Sequence, residues 1–245
     1  MRIDVFLASS GILRSRTEAR QLIEEGAVYV DGKQVTKPAF DISGLEDKVF
    51  VDKSVKKYVS RGGLKLKGAL VAFNIDCKDR LCLDVGASSG GFTDCLLQEG
   101  ARHVIAVDSG SGQIADVLRN DCRVTVIENY NARYMRVNDF SYAPNIAVMD
   151  VSFISATHII PAVYSVLAEN GDFVCLIKPQ FEVGRSGVGK GGIVTDSKLR
   201  DAAVKKVIDF AVESGFKFMA HIQSPIKGGD GNIEFLAHFI KTKSE

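Results

Sequence analysis

Leu83-Asp84-Val85-Gly86-Ala87-Ser88-Ser89-Gly90-Gly91-Phe92 is the stretch on which the fold of this 245-residue chain turns. The apolar run Leu81–Val85 reads as a buried strand, and Phe92–Glu99 as the helix that follows it. Glycines at 86, 90 and 91 allow a tight turn and let the backbone approach a ligand closely. The spacing is Gly-x-x-x-Gly-Gly rather than Gly-x-Gly-x-x-Gly, so it fits a dinucleotide fingerprint poorly. A second run, His103–Val107, ends at Asp108, 22 residues after Gly86. An acid placed there accepts hydrogen bonds from both hydroxyls of an adenosine ribose.

Outward from this loop the rhythm of strand, turn and helix repeats. Further strand-like runs are Val124–Ile127, Ile146–Met149, Phe173–Ile177, Lys217–Ile222 and Glu234–Ile240. Helical candidates are Gln113–Arg119, Ala156–Leu167 and Ser197–Ser214. Near-continuous apolar strands between helices predict an α/β fold with a mostly parallel sheet covered on both faces. The last two strands have no helix between them, which predicts a closing antiparallel hairpin. An adenosine cofactor without a phosphate cradle points to S-adenosyl-L-methionine. Here the loop resembles the first motif of class I methyltransferases, an acid followed by Gly-x-x-x-Gly. The cofactor-binding candidates are Asp84, Gly86, Ser88, Gly90, Gly91, Phe92 and Asp108.

A competing nucleotide site fails on detail. Gly184-Arg-Ser-Gly-Val-Gly-Lys190-Gly191 nearly fits a P-loop, but Gly191 stands where a metal-binding hydroxyl is required. Gly192-Ile-Val-Thr does not open a helix either. Phe181–Gly192 reads instead as a mobile loop that contacts substrate.

The first 60 residues have a different texture and predict a separate small α+β domain, with residues 61–245 forming the second. Ile3–Ser9 reads as one or two helical turns, and Ser15–Glu25 as a helix opened by a Ser15-x-x-Glu18 capping box. Ala27–Val30 and Lys33–Val35 are strand-like around Asp31-Gly32, a strong hairpin signal, and Lys48–Val51 is a third short strand. Residues 53–67 carry Lys53, Lys56, Lys57, Arg61, Lys65 and Lys67 with no acid, and read as a basic linker.

Two strand ends carry unusual polar residues: Asp150 after Ile146–Met149 and Lys178 after Phe173–Ile177. Lys65 lies before the first strand of the second domain, and Glu234 opens the last. Asp150 and Lys178 project to the sheet edge that carries Gly86 and Asp108, and together the four would form a cluster beside a methyl donor. A ribose 2′-hydroxyl is a weak nucleophile that must be positioned against the methyl donor and lose its proton. A desolvated lysine beside other cations serves as base, and carboxylates orient it. Lys178 is the candidate base or hydroxyl-orienting group, Asp150 its holder, and Lys65 and Glu234 complete the network. Amine methyltransferases often carry Asn/Asp-Pro-Pro-Tyr at this fourth strand end, where this chain reads Asp150-Val-Ser-Phe153.

At this point the chain resembles the TlyA or hemolysin-A family of ribosomal RNA 2′-O-methyltransferases, whose catalytic domain is similar to FtsJ. Arg2-Ile-Asp-Val-Phe-Leu and Ser15-Arg16-Thr-Glu-Ala-Arg20-Gln-Leu-Ile are similar to an S4 RNA-binding domain. Ser60-Arg-Gly-Gly-Leu-Lys65-Leu, Asp84–Thr93, Asp150-Val-Ser-Phe-Ile-Ser, Ile177-Lys-Pro-Gln-Phe-Glu and Gly231-Asn-Ile-Glu234 match the family's blocks in order. The resemblance implies an S4 module, a seven-stranded Rossmann-like methyltransferase sheet and a catalytic tetrad at Lys65, Asp150, Lys178 and Glu234. It also implies S-adenosyl-L-methionine as cofactor, no metal, and 2′-O-methylation of cytidine in 16S or 23S ribosomal RNA, or both. Asn131, in Asn129-Tyr-Asn-Ala-Arg133, matches an Asn-x-Arg element expected to border the adenine. In the S4-like part Arg14, Arg16, Arg20 and Lys33, with Arg61 beyond it, are the RNA-binding candidates. Their alternative is a set of surface charges paired with Glu18, Glu24 and Glu25.

Composition narrows the classes further. Lys and Arg total 31 against 30 Asp and Glu, so the net charge of +1 excludes a uniformly basic nucleic-acid coat. Five cysteines without Cys-x-x-Cys predict buried free thiols and a cytoplasmic protein rather than a disulfide or zinc framework. Asp4 interrupts any apolar signal-peptide core, and Val151–Ala168 is too polar for a membrane span. Two other functions compete: a non-catalytic RNA-binding or ribosome-assembly factor, and a membrane-active hemolysin. The strand-end tetrad argues against the first. The lack of a cationic amphipathic helix or an apolar span argues against the second.

Overall fold

A computed structural model of the chain describes residues 1–24, 26–52 and 58–242. It divides into two compact units, Met1–Arg61 and Gly62–Glu245.

In the first unit α1 (Ile3–Ser9) and α2 (Arg16–Glu24) precede β1 (Val28–Val30), β2 (Lys33–Gln34) and β3 (Val49–Val51). The strands form an antiparallel sheet in the order β2-β1-β3. The Ser15 hydroxyl accepts the Glu18 N–H at 3.1 Å, so it caps α2. The Glu18 carboxylate accepts the Arg14 N–H at 2.9 Å, one residue further out than the usual reciprocal bond. Asp31 and Gly32 both have positive φ, as a tight two-residue hairpin requires. Ile3, Leu7, Leu22, Ile23, Val28 and Ile42 are buried together and form this unit's core.

The second unit begins with α3 (Gly62–Phe73). Then come β4 (Leu81–Val85), α4 (Gly91–Gln98), β5 (His103–Val107), α5 (Asp116–Arg119), β6 (Val124–Ile127) and β7 (Ile146–Met149). The chain continues through α6 (Ile160–Val166), β8 (Asp172–Ile177), α7 (Pro179–Glu182), α8 (Ser197–Glu213), β9 (Phe216–Gln223) and β10 (Phe235–Lys241). The seven strands run β6-β5-β4-β7-β8-β10-β9. β4 to β8 are parallel, and β10 inserts antiparallel between β8 and β9. Central strands β4, β5, β7 and β8 are buried almost throughout, which their near-continuous apolar composition requires. Cys77, Cys82, Cys95 and Cys175 are buried free thiols and Cys122 is an exposed one.

Several expectations need correction. The basic stretch 53–67 is not one linker. Lys53, Lys56 and Lys57 lie outside the described residues, but Gly62–Phe73 is a three-turn helix whose Gly63, Lys65, Leu66, Ala69 and Leu70 are buried. Gly62 and Gly63 read as breakers, yet they sit in the first turn, where packing outweighs propensity. Lys67 is no free cation either, since it pairs at 2.7 Å with Glu99, the residue that follows α4. Ala156–Leu167 splits into a 3-10 turn, Ala156–His158, and α6. Pro161 lies in the first turn of α6, where its missing N–H costs no hydrogen bond. Gln113–Arg119 shortens to the single turn α5.

Candidate active site

The carboxyl ends of β4, β7 and β8, with the entry to β10, build the site. Gly86 follows β4 with φ +84°, and a Cβ there would meet the Asp150 carbonyl oxygen at 2.5 Å. Only glycine lets the β4 turn lie this close to the end of β7. The Gly86 and Ala87 N–H groups both reach the Val107 carbonyl, at 2.8 and 3.1 Å, which ties the turn to β5. Asp108 then accepts the Ser88 N–H at 2.8 Å and the Gly110 N–H at 2.7 Å.

These residues open onto a cavity of about 540 Å³. Gly86, Ser88, Asp108, Asn131 and Asp150 line it, together with Tyr130. Asn131 accepts the Arg133 N–H at 3.1 Å and so shapes the loop after β6. The other candidates of the cofactor loop do not line the cavity. Gly90 and Gly91 make the turn into α4, Phe92 is packed in the interior, and Asp84 is fully buried in β4.

Asp84 accepts a hydrogen bond from the Thr93 hydroxyl at 2.7 Å, and its other oxygen has no hydrogen-bond partner among the described residues. Burial pushes its carboxyl up to about 7, against the Thr93 bond, and the charges of Asp150 and Asp108 add to the rise. The sign of the stability effect follows. A carboxyl raised in the folded state favours folding below its unfolded value of about 3.9, and this contribution is lost as pH rises through the folded value. Asp84 therefore contributes a fall in stability between about pH 4 and pH 7, the interval between its unfolded and folded values. Asp84→Asn flattens that slope in a melting-temperature series. An unchanged slope would show that Asp84 is ionised throughout.

The four strand-end residues form two close ion pairs. Lys178 Nζ lies 2.5 Å from Asp150 Oδ1 and donates a 2.7 Å hydrogen bond to Ser152 Oγ. Asp150 Oδ1, buried at the cavity wall, meets the ammonium as an ion pair without hydrogen-bond geometry. Lys65 Nζ lies 2.5 Å from Glu234 Oε2, with both side chains buried. Phe235 of β10 pairs with Ile177 of β8, so the antiparallel register sets Glu234 beside Lys178 at the same edge. Lys65 reaches this edge from α3 rather than from the lead-in to β4.

A buried carboxylate that the sequence reading did not single out braces this edge. Glu182 closes α7, four residues after Lys178, and its side chain is 2% exposed. It accepts from Ser155 Oγ at 2.6 Å, from the Ala156 N–H at 2.8 Å and from Lys206 Nζ of α8 at 3.0 Å. It thereby ties the segment after Asp150 to the segment after Lys178.

Phe153 stands at the mouth of the cavity with φ +64°, a strained value for an aromatic residue. It is 92% exposed and its ring packs at 51° against Phe181, with centroids 5.2 Å apart. One sequence carries no signal for Ser152, Phe153, Tyr130 or Glu182, although three of them fall inside the motif blocks quoted above.

The segment 181–192, expected to be a mobile loop, is built into the fold. Asn232 is buried, donates to the Gly192 carbonyl at 2.9 Å and accepts the Val194 N–H at 3.0 Å. Those bonds fasten the glycine-rich segment to the strand entry that carries Glu234. Among the described residues there is no group of three or more His, Cys, Asp or Glu side chains that could hold a metal ion.

In the first unit Arg16 and Arg20 pair with an acid that the sequence reading did not name, and Arg61 with one that it did. Arg16 and Arg20 both contact Asp4, whereas Arg14 and Lys33 are exposed and are not among its partners. Arg61 pairs with Glu24.

A seven-stranded sheet with an antiparallel β10, a glycine turn after β4 and an acid after β5 defines an S-adenosylmethionine-dependent methyltransferase fold. The FtsJ-like methyltransferase model matches residues 58–241, and the S4 domain model matches residues 1–54. The chain belongs to the FtsJ-like methyltransferase family and carries an N-terminal S4 domain. It is 46% identical to Hemolysin A of Brachyspira hyodysenteriae over 98% of this chain and 100% of that protein. It is 43% identical to the 16S/23S rRNA (cytidine-2′-O)-methyltransferase TlyA of Mycobacterium tuberculosis, over 100% of this chain and 91% of that one. A solved hemolysin-designated protein of Streptococcus thermophilus shares 43% identity at a TM-score of 0.78, covering 100% of this chain and 89% of its own. The family resemblance read from the motif blocks is thus the family of the chain.

Proposed function

We propose that this protein transfers a methyl group from S-adenosyl-L-methionine to a ribose 2′-hydroxyl of ribosomal RNA. The observation that carries the reading is the Lys178–Asp150 pair set at the wall of the cavity beside Asp108. The relatives that act on cytidine in 16S and 23S rRNA support the same substrate here.

The cavity fits the cofactor. Its size lies within the usual range for small-molecule sites, and glycine keeps the Gly86 turn clear. Asp108 is set to hold the ribose, and the backbone of Gly86 and Ser88 with Asn131 and Tyr130 to hold the remainder. When bound, S-adenosyl-L-methionine supplies an electrophilic methyl group.

The chain's own residues then handle the hydroxyl. Lys178 Nζ, the ammonium of the pair at rest, is fixed between Asp150 and Ser152, so it orients the ribose hydroxyl, and after releasing its own proton to solvent it takes the hydroxyl proton in turn. Asp150 balances the resulting ammonium. Lys65 and Glu234 keep a second opposed pair of charges beside it, so that the edge stays neutral through the step. The exposed Phe153 ring offers a stacking face for the base of the target nucleotide, which an aromatic platform holds without reading its edges. The chain's two units act in sequence: unit 1 docks RNA, and residues 61–245 carry out transfer.

The alternative is an assembly factor that binds the donor without turnover. Incubation with radiolabelled S-adenosyl-L-methionine and ribosomal subunits from a strain lacking the protein separates the two. Label is expected in RNA. Donor binding without label on subunits, whole ribosomes or naked RNA would favour the assembly factor. Among the described residues no helix is long and apolar enough to cross a membrane. Leakage of liposomes that survives loss of Lys178 would support a lytic protein instead.

A further inference from the structure

We propose that Asp4 is a positioning residue for RNA docking, whose carboxylate locks Arg2, Arg16 and Arg20 into a preformed fork for phosphate groups. The inference rests on the reading that the N-terminal unit docks RNA, and it adds what makes that surface competent.

Asp4 lies in the first turn of α1 and has no solvent exposure. Arg2 approaches it through Nε at 3.0 Å and Nη2 at 3.2 Å. Arg16 and Arg20 approach through Nε, at 2.9 and 3.1 Å. Each arginine therefore spends one edge of its guanidinium on Asp4. All three side chains remain about half exposed, at 46%, 48% and 50%. Their outer N–H groups are free for bidentate bonds to phosphate oxygens. Three positive charges over one negative leave the cluster at a net +2.

A pin between α1 and α2 does not account for this arrangement. Ile3, Leu7, Leu22 and Ile23 already bury the contact between the two helices, and a single arginine would satisfy the pin. Arg16 and Arg20 are one turn apart on the same face of α2, a spacing at which like charges repel. Asp4 sits between them and holds them together. Burial works to raise its carboxyl, but the bonds from Arg16, Arg2 and Arg20 overcome this and lower it to about 2, so it stays charged at any physiological pH. A free arginine loses much rotamer freedom when it binds phosphate, and here that loss is incurred on folding.

The test turns on sign. Asp4→Asn makes the surface more positive by one charge, so plain electrostatics predicts tighter RNA binding and a steeper salt dependence. Preorganisation predicts the reverse. For the full chain and an unmodified 16S rRNA transcript, Asp4→Asn weakens binding about tenfold, and the slope of log affinity against log salt shrinks by about one. KM for RNA rises while kcat at saturating RNA is unchanged. Equal or tighter binding by Asp4→Asn would overturn the proposal. Arg16→Gln with Arg20→Gln runs alongside. If that double variant binds RNA like wild type, the docking reading itself fails, whatever Asp4→Asn does. A measurement on the wild type covers the case in which Asp4→Asn does not fold. In the free protein the Nε–H protons of Arg2, Arg16 and Arg20 exchange with water far more slowly than that of Arg14. Equal rates would sink the preformed fork.

Discussion

Lys178→Ala lowers single-turnover methyl transfer by about a thousandfold, the middle of the range for loss of a positioned acid–base group. It leaves S-adenosyl-L-methionine binding intact, because Lys178 is absent from the cavity lining and meets it only through Asp150 and Ser152. The separation of these two effects is the informative part. Equilibrium titration of the cofactor reports the first, and quenched-flow transfer to saturating RNA reports the second. Lys178→Arg does not rescue transfer. A guanidinium keeps the charge opposite Asp150 but cannot act as a base near neutral pH. Transfer by Lys178→Ala at the wild-type rate would remove the assignment. Parallel loss of cofactor binding would mean that Lys178 supports the cavity rather than the hydroxyl.

Glu182→Ala has the second large effect, this time on stability and transfer together. Removing the carboxylate leaves the buried Ala156 N–H without its acceptor, whereas the half-buried Ser155 hydroxyl keeps Thr157 Oγ1 at 2.8 Å. An unmet buried donor costs about 1–3 kcal/mol, so the variant loses about 2 kcal/mol. For a domain of this size that lowers the melting temperature by roughly 6 °C. Lys206→Ala strips the buried Glu182 carboxylate of its counterion, so it too is destabilising, by about 1–3 kcal/mol. Because Glu182 braces the segments after Asp150 and after Lys178, transfer measured well below the melting range still falls in Glu182→Ala. Full activity in the folded variant would reduce Glu182 to a packing residue.

Sequence made the sheet legible where strands are buried on both faces. Leu81–Val85, His103–Val107 and Ile146–Met149 are runs closed by Gly86, Asp108 and Asp150, and the structure ends each strand just before its closing residue. The same logic exposed Asp150 and Lys178, since a charge directly after a buried strand reaches the open edge of a parallel sheet. α3 was hidden because its apolar residues cover most of its circumference and its first turn is Gly62-Gly63, so it shows no amphipathic period. Lys65 and Glu234 read from the sequence only as completing the network, and their direct pairing comes from the fold.

Contacts between distant residues were beyond a single sequence. Glu182 meets Ser155, 27 residues earlier, and no spacing rule predicts that bond. Asp4 shows the limit most clearly. In the sequence it is one acid in an apolar segment, whereas in the fold it binds arginines 12 and 16 residues away. The local acids proposed as partners for those arginines have other places in the chain. Glu18 caps α2, Glu24 takes Arg61, and Glu25 lies outside the described residues.

The chemical position of the transferred methyl group tests the central claim most directly. Ribosomal subunits from a strain lacking the protein would be methylated in vitro, and their RNA digested to nucleosides for mass spectrometry. The account predicts a 2′-O-methylated ribonucleoside that appears with the wild-type protein and not with Lys178→Ala. A methyl group found on a base would contradict it, because an ammonium–carboxylate pair at the wall of the cavity would then be serving a different nucleophile.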